Sequence, residues 1–149
     1  MLTNKEVLTF DEIVTHFPQL FEQLINSQKY NFGALTRGSI NTILKTDNKN
    51  PISGVYLISN TQNAPLYVGR SRNIAQRIGT DHRSTDTNLA NLTYKIAQEN
   101  NVTPLQAREY MYGDFEVQMI TIDNDYARTL FEVYAAMKLQ TPYNSFREA

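Results

Sequence analysis

At residue 54 the helical spacing of apolar residues gives way to two β-branched and aromatic runs, "GVYLIS" (54–59) and "PLYVG" (65–69). The turn-rich "NTQNA" separates them, which is the signature of an antiparallel hairpin. This change of period commits the chain to a sheet. "FEVQMITI" (115–122) alternates cleanly and supplies a third strand. Between the hairpin and that strand, Asn73 opens a helix with Ile74 and Ile78 on one side, ending near Gly79. Leu89, Leu92, Ile96 and Ala97 mark a second helix, stopped by "ENN". Thr103-Pro104 with Gln106 caps a third, since proline is favoured at the first helical position. Asp125 is expected to cap a long helix to about Gln140, and Pro142 prevents its continuation. The class is therefore α/β (α+β): a small three-stranded antiparallel sheet flanked by helices.

Residues 1–50 read as an N-terminal helical extension, packed on or next to a main domain of residues 51–149. Thr9-Phe10-Asp11-Glu12 is a capping box, with Leu8 and Ile13 placed as a hydrophobic staple. Pro18 cannot sit in a helix interior, so two short helices, or one that breaks near Phe17, are expected. Residues 29–44 are ambiguous, with Ile40, Ile43 and Leu44 suggesting a short helix, and "KTDNKNPIS" (45–53) is a polar linker. The apolar stripe of the extension reads as core; DNA binding or a dimer contact through these helices stays open.

Composition limits the chemistry. At 149 residues, 41% hydrophobic and 19% charged, the chain suits one globular domain. It has no cysteine, so a metal would need carboxylate, imidazole or water ligands, which points to Mg²⁺-type chemistry. The net charge of -1 argues against broad, non-specific coating of nucleic acid. Its distribution is uneven: Arg70, Arg72, Arg77, His82 and Arg83 crowd one stretch against a single acid, Asp81. No zinc finger, helix-turn-helix pattern or long basic tail is present. No run approaches the ~20 apolar residues of a membrane span, and the N-terminus lacks a basic segment leading into an apolar core, so an intracellular, cytoplasmic protein is expected.

Two features exceed packing. Tyr56 and Tyr67 can meet across the hairpin, and Glu132 is the only acid in "LFEVYAAMKLQ". Singly, each has an ordinary reading: a cross-strand aromatic pair, and an exposed glutamate paired with Arg128 one turn earlier. Jointly they are more specific. Gly54-Val55-Tyr56 and Tyr67-Val68-Gly69 flank ten residues; Arg77 follows Tyr67 by ten; Glu132 lies on the last helix; and Asn144, in "TPYN", follows it by twelve. In this order the residues resemble the GIY-YIG nuclease family, and more narrowly its small stand-alone members. The resemblance covers residues 54–146. There is one departure. The family often has a histidine or tyrosine four residues after the arginine, where this chain has Asp81, with His82 one later. On an ideal helix that residue rotates the side chain by about 100°. Gly79 is read as loosening the turn so that His82 reaches the site; a surface histidine is the other reading. His16 reads as structural or exposed.

The resemblance implies a metal-dependent endonuclease that hydrolyses DNA phosphodiester bonds. Tyr56 would be the general base, directly or by relay, needing cationic neighbours because a phenol titrates near 10. Arg77 and His82 would supply them, and Arg77 would also present a planar donor fork to the phosphate. Tyr67 would orient water or phosphate. Glu132 would hold one divalent ion, Mg²⁺ (or Mn²⁺), and Asn144 would fix Glu132 or nearby backbone. Gly54 and Gly69 would permit close strand or substrate approach. Arg70, Arg72 and Arg83 would contact the DNA backbone or remain solvated surface charge. The rival reading is a catalytically weak or inactive GIY-YIG-like module binding nucleic acid or protein, supported by the displaced histidine.

Overall fold

The computed structural model describes residues 2–5 and 7–146. Local chemistry sets the first elements. Thr9 Oγ1 accepts from the Glu12 amide at 3.2 Å while Glu12 Oε1 accepts from the Thr9 amide at 3.1 Å. This capping box starts helix α1 (Phe10–Val14). Pro18 occupies the first turn of α2 (Phe17–Asn26), where a missing N–H costs nothing, so the chain forms two short helices. A two-residue strand, β1 (Tyr30–Asn31), a 3₁₀ turn (Phe32–Ala34) and helix α3 (Arg37–Ile43) follow.

The hairpin is β2 (Gly54–Asn60) and β3 (Pro65–Ser71), and it leads into α4 (Ile74–Gly79), capped by Asn73. After a 3₁₀ turn (Asp81–Arg83) come α5 (Asn91–Glu99), α6 (Pro104–Asp114), β4 (Phe115–Thr121) and α7 (Asp125–Leu139). Two expectations change here. The N-cap of α7 is Asn124, whose side chain accepts from the Ala127 amide at 2.9 Å; Asp125 is already in the first turn. The sheet has four strands rather than three, in the order β1-β4-β2-β3, all antiparallel. The added strand pairs only Tyr30 with Val117 and Asn31 with Glu116, too short a segment for any period to show.

The run "GVYLIS" is buried throughout because β2 is central and covered on both faces. Val55, Leu57 and Val68 pack with Phe17, Phe21, Leu24 and Phe131. Tyr56, Ile58, Val117 and Met119 pack on the other side with Ile74, Ile78, Leu92, Ile96 and Met111. Each such side chain contributes roughly 1.5–3 kcal/mol on burial, so the α1–α2 segment is an integral layer of the core. No helix among the described residues is long and apolar enough to cross a membrane.

Strand β3 lies at the sheet edge, and its outer rim is paired by the segment after α7. The Tyr143 amide donates to the Leu66 carbonyl at 3.1 Å. The Asn144 side chain then acts as a peptide group. Its Oδ1 accepts from the Val68 amide and its Nδ2 donates to the Val68 carbonyl, both at 2.8 Å. Thr141 Oγ1 holds that side chain in place at 2.7 Å. The edge is thereby blunted, and Tyr67 lies between two residues, Leu66 and Val68, whose main chain is paired on the outer side.

Candidate active site

Hairpin register decides how the two Gly/Tyr triplets meet. Tyr56 stands opposite Gly69 and Ile58 opposite Tyr67, so the two tyrosines are diagonal neighbours, with ring centroids 6.3 Å apart. The glycine has a steric cause: a Cβ at position 69 would overlap the Tyr56 phenol. Gly69→Ala is expected to lower stability by about 1–3 kcal/mol, as other overpacked sites do, and to push Tyr56 off its partner. Thermal melts measure the first effect; an unchanged melting temperature would contradict the overlap.

That partner is His82. Helix α4 ends at Gly79, packed so closely on the Thr36–Arg37 main chain that no side chain fits, and the backbone then leaves helical geometry at Thr80 (φ -129°, ψ -56°). The tight turn Asp81–Arg83 absorbs the extra residue that an ideal helix would have rotated away. His82 is fully buried, its Nε2 is 2.6 Å from the Tyr56 hydroxyl, and its ring lies edge-on to both tyrosines at 5.6 and 5.9 Å. The surface-histidine reading does not hold. Thr93 Oγ1 donates to the His82 carbonyl at 3.2 Å, steadying the turn from α5.

Burial dominates the electrostatics. It raises the Tyr56 phenol well above its ordinary range; Tyr67 adds to the shift and Arg77 opposes it. The Tyr67 phenol is also raised by burial, again against Arg77. For His82, burial and then the charges of Arg77 and Arg83 bring the imidazole down from 6.5 to about 3, so it is neutral at physiological pH. The unfolded chain therefore binds a proton that the folded one refuses between those two values. Stability should be fully present above pH 6.5 and fall as pH drops toward 3, by up to ~1.4 kcal/mol per unit from this group. Denaturant titrations across that range check it. A His82→Asn variant that keeps the full wild-type slope would assign the slope elsewhere.

Glu132 projects from α7 with its side chain 12% exposed, and its carboxylate is 3.4 Å from Arg70 Nε. Burial raises its pKa and Arg70 opposes the shift. The helical partner suggested by spacing is otherwise engaged: Arg128 pairs with Asp125 and donates to the Ile122 and Asp123 carbonyls at 3.1 Å. Arg77 is half-buried, donates to the Leu89 carbonyl, and acts on both tyrosines through its charge. Arg70 and Arg72 keep exposed side chains, 45% and 79%, with Arg72 paired to Asp125 at 2.7 Å. Arg83 differs. Its guanidinium donates to the Phe32 and Leu35 carbonyls and lies 4.9 Å from the centroids of both the Phe32 and Tyr112 rings. It is built into the fold rather than offered to a phosphate. Asn144 holds the Val68 main chain and not Glu132. Phe32, whose ring meets His82 at 6.4 Å, had no sequence signal, because it comes from fifty residues away.

No three His, Cys, Asp or Glu side chains cluster among the described residues as a metal cage. Glu132 nonetheless fits a magnesium-type ion, which commonly takes one or two carboxylates and completes its shell with waters and substrate phosphate oxygens. It is a largely sequestered carboxylate whose one ion-pair partner among the described residues is a half-exposed arginine.

No curated protein and no solved structure matches the chain. The model of the GIY-YIG catalytic domain matches residues 52–144, well over half of it. That stretch begins just before the hairpin and closes on the asparagine that clamps its edge, and the chain belongs to the GIY-YIG family.

Proposed function

We propose that the protein is a metal-dependent endonuclease hydrolysing DNA phosphodiester bonds, with Tyr56 as general base, Arg77 on the phosphate and Glu132 on one divalent ion. Family membership implies nuclease-type activity in general. The observation that carries the finer reading is the buried Tyr56–His82 contact at 2.6 Å, because packing alone has no need of a phenol and an imidazole in one apolar pocket.

Neutral His82 carries one N–H, and its Nδ1 has no partner among the described residues. We assign the proton to Nε2, which spares the protein an orphaned buried N–H. Nε2–H then donates to the Tyr56 oxygen, and the positive charge of Arg77 acts on the same atom. Both favour the phenolate over the phenol. Burial outweighs both in the free protein, where Tyr56 keeps its proton. To act as base it first releases that proton to solvent, and the phenolate, held by Nε2–H and Arg77, then takes one proton from the water that attacks phosphorus. Tyr67, beside it, orients the water or a phosphoryl oxygen. The Arg77 fork binds non-bridging oxygens as charge develops on them. Glu132 would hold a divalent ion, which when bound would supply positive charge near the leaving 3′ oxygen. Arg70 and Arg72, exposed on the same side as Glu132 and the N-terminus of α7, supply sequence-independent phosphate contacts.

A second reading has its own support: Tyr56 is completely buried and its phenol is strongly raised, as suits a non-cleaving module. Cleavage assays separate the two. Single-stranded, duplex and branched DNA are incubated with Mg²⁺ or Mn²⁺ and wild-type protein, Tyr56→Phe or Glu132→Gln. Cleavage by wild type alone is the expected result; no cleavage of any substrate, or cleavage that both variants share, defeats the nuclease reading.

A further inference from the structure

We propose that residues 32–35, outside the stretch matched by the family model, form a wall of the active site, and that Arg83 is the positioning residue that seats the His82 turn against it. The inference rests on the catalytic reading of Tyr56 and His82, and it adds what holds them.

Arg83 follows His82 directly, so fixing one side chain fixes the backbone of the other. Its guanidinium reaches two carbonyls, Phe32 and Leu35, at either end of the Phe32–Ala34 turn. The same group lies 4.9 Å from the centroids of both the Phe32 and Tyr112 rings, which stack on each other at 5.9 Å. Only a planar group with several donors can do both; a lysine ammonium is a single point of charge on a flexible stem. The Arg83 Nε is buried without a partner among the described residues, a desolvation cost that an apolar side chain would avoid. Phe32 is itself fully buried and presents its ring edge-on to His82. A few residues earlier, Gly79 abuts the Thr36–Arg37 main chain. The turn bearing His82 is therefore docked twice on the segment that precedes the matched domain.

The groups facing His82 are Tyr56 from β2, Tyr67 from β3, Arg77 from α4 and Arg83 from its own turn; α5 and the 32–34 turn contribute the uncharged Thr93 and Phe32. Loosening the turn would admit water and shift His82 relative to Tyr56. It would not remove a phosphate contact.

Arg83→Lys in the full chain tests this. Three quantities are read: single-turnover cleavage, DNA affinity with its salt dependence, and NMR of the imidazole nitrogens of the chain's two histidines, His16 and His82. In wild type His82 should remain a single neutral tautomer from about pH 5 to 8. In the variant it should titrate or mix tautomers, the cleavage rate should fall about tenfold through lost positioning, and DNA affinity and salt slope should be unchanged. An unaltered His82 spectrum overturns the proposal. So does a weaker salt slope with an intact cleavage rate, which would make Arg83 a phosphate contact. Phe32→Leu keeps the carbonyl acceptors but removes the stacked ring; if Arg83→Lys does not fold, this variant carries the same expectations. If wild type cuts no DNA, the nuclease reading fails while the His82 spectrum still decides whether Arg83 seats the turn.

Discussion

Glu132→Gln should bring DNA cleavage to background, a loss of roughly a thousandfold or more, as expected when several kcal/mol of charge stabilisation leave a phosphoryl-transfer site. The substitution is nearly isosteric and removes only the charge. Burial already disfavours that charge, raising the carboxyl pKa, and the ion pair with half-exposed Arg70 is worth no more than about 1 kcal/mol. Thermal stability should therefore stay close to wild type. The decisive pairing is a normal melt with absent cleavage and lost Mn²⁺ binding, measured calorimetrically without DNA. Retained Mn²⁺ affinity in Glu132→Gln would show that the ion sits elsewhere, and cleavage within tenfold of wild type would remove Glu132 from the mechanism.

Tyr56→Phe should lower cleavage by about 10²–10⁴-fold, the usual contribution of a positioned general base. Here a stability cost is expected as well. Among the described residues the hydroxyl is the only hydrogen-bond partner of the His82 imidazole, whose Nδ1 already lacks one, so its removal leaves the buried ring with no hydrogen bond, at about 1–3 kcal/mol. Metal binding at Glu132 should survive, which separates this defect from the first. A variant that folds, loses the predicted stability and still cleaves at the wild-type rate would reduce Tyr56 to a structural partner of His82.

Much of the fold was legible because it depends on neighbours in sequence. The Thr9–Glu12 and Thr103–Gln106 capping boxes close between residues three apart, and Pro18 divides the first helices through its own missing N–H. The hairpin follows from two runs and a turn. What escaped was non-local or very short: β1 is two residues long and exists only because β4 pairs with it. At the site, spacing paired Glu132 with Arg128 on one helix, whereas the fold brings Arg70 from strand β3. Three arginines looked alike on paper; the fold leaves Arg70 and Arg72 exposed and buries the head of Arg83 against main-chain carbonyls.

The sequence by itself determined which residue types stand at which local spacing: the two Gly/Tyr triplets, the helix-borne Arg77, and Glu132 and Asn144 near the end of the chain. Tertiary structure alone decided that Gly69 makes room for Tyr56, that Asn144 clamps Val68, and that His82, one residue out of place along the chain, is in contact with Tyr56 in space. It also decided their protonation. A pKa follows from how much water the whole fold removes and which distant charges it brings near, and neither quantity is carried by the spacing of residues along the chain.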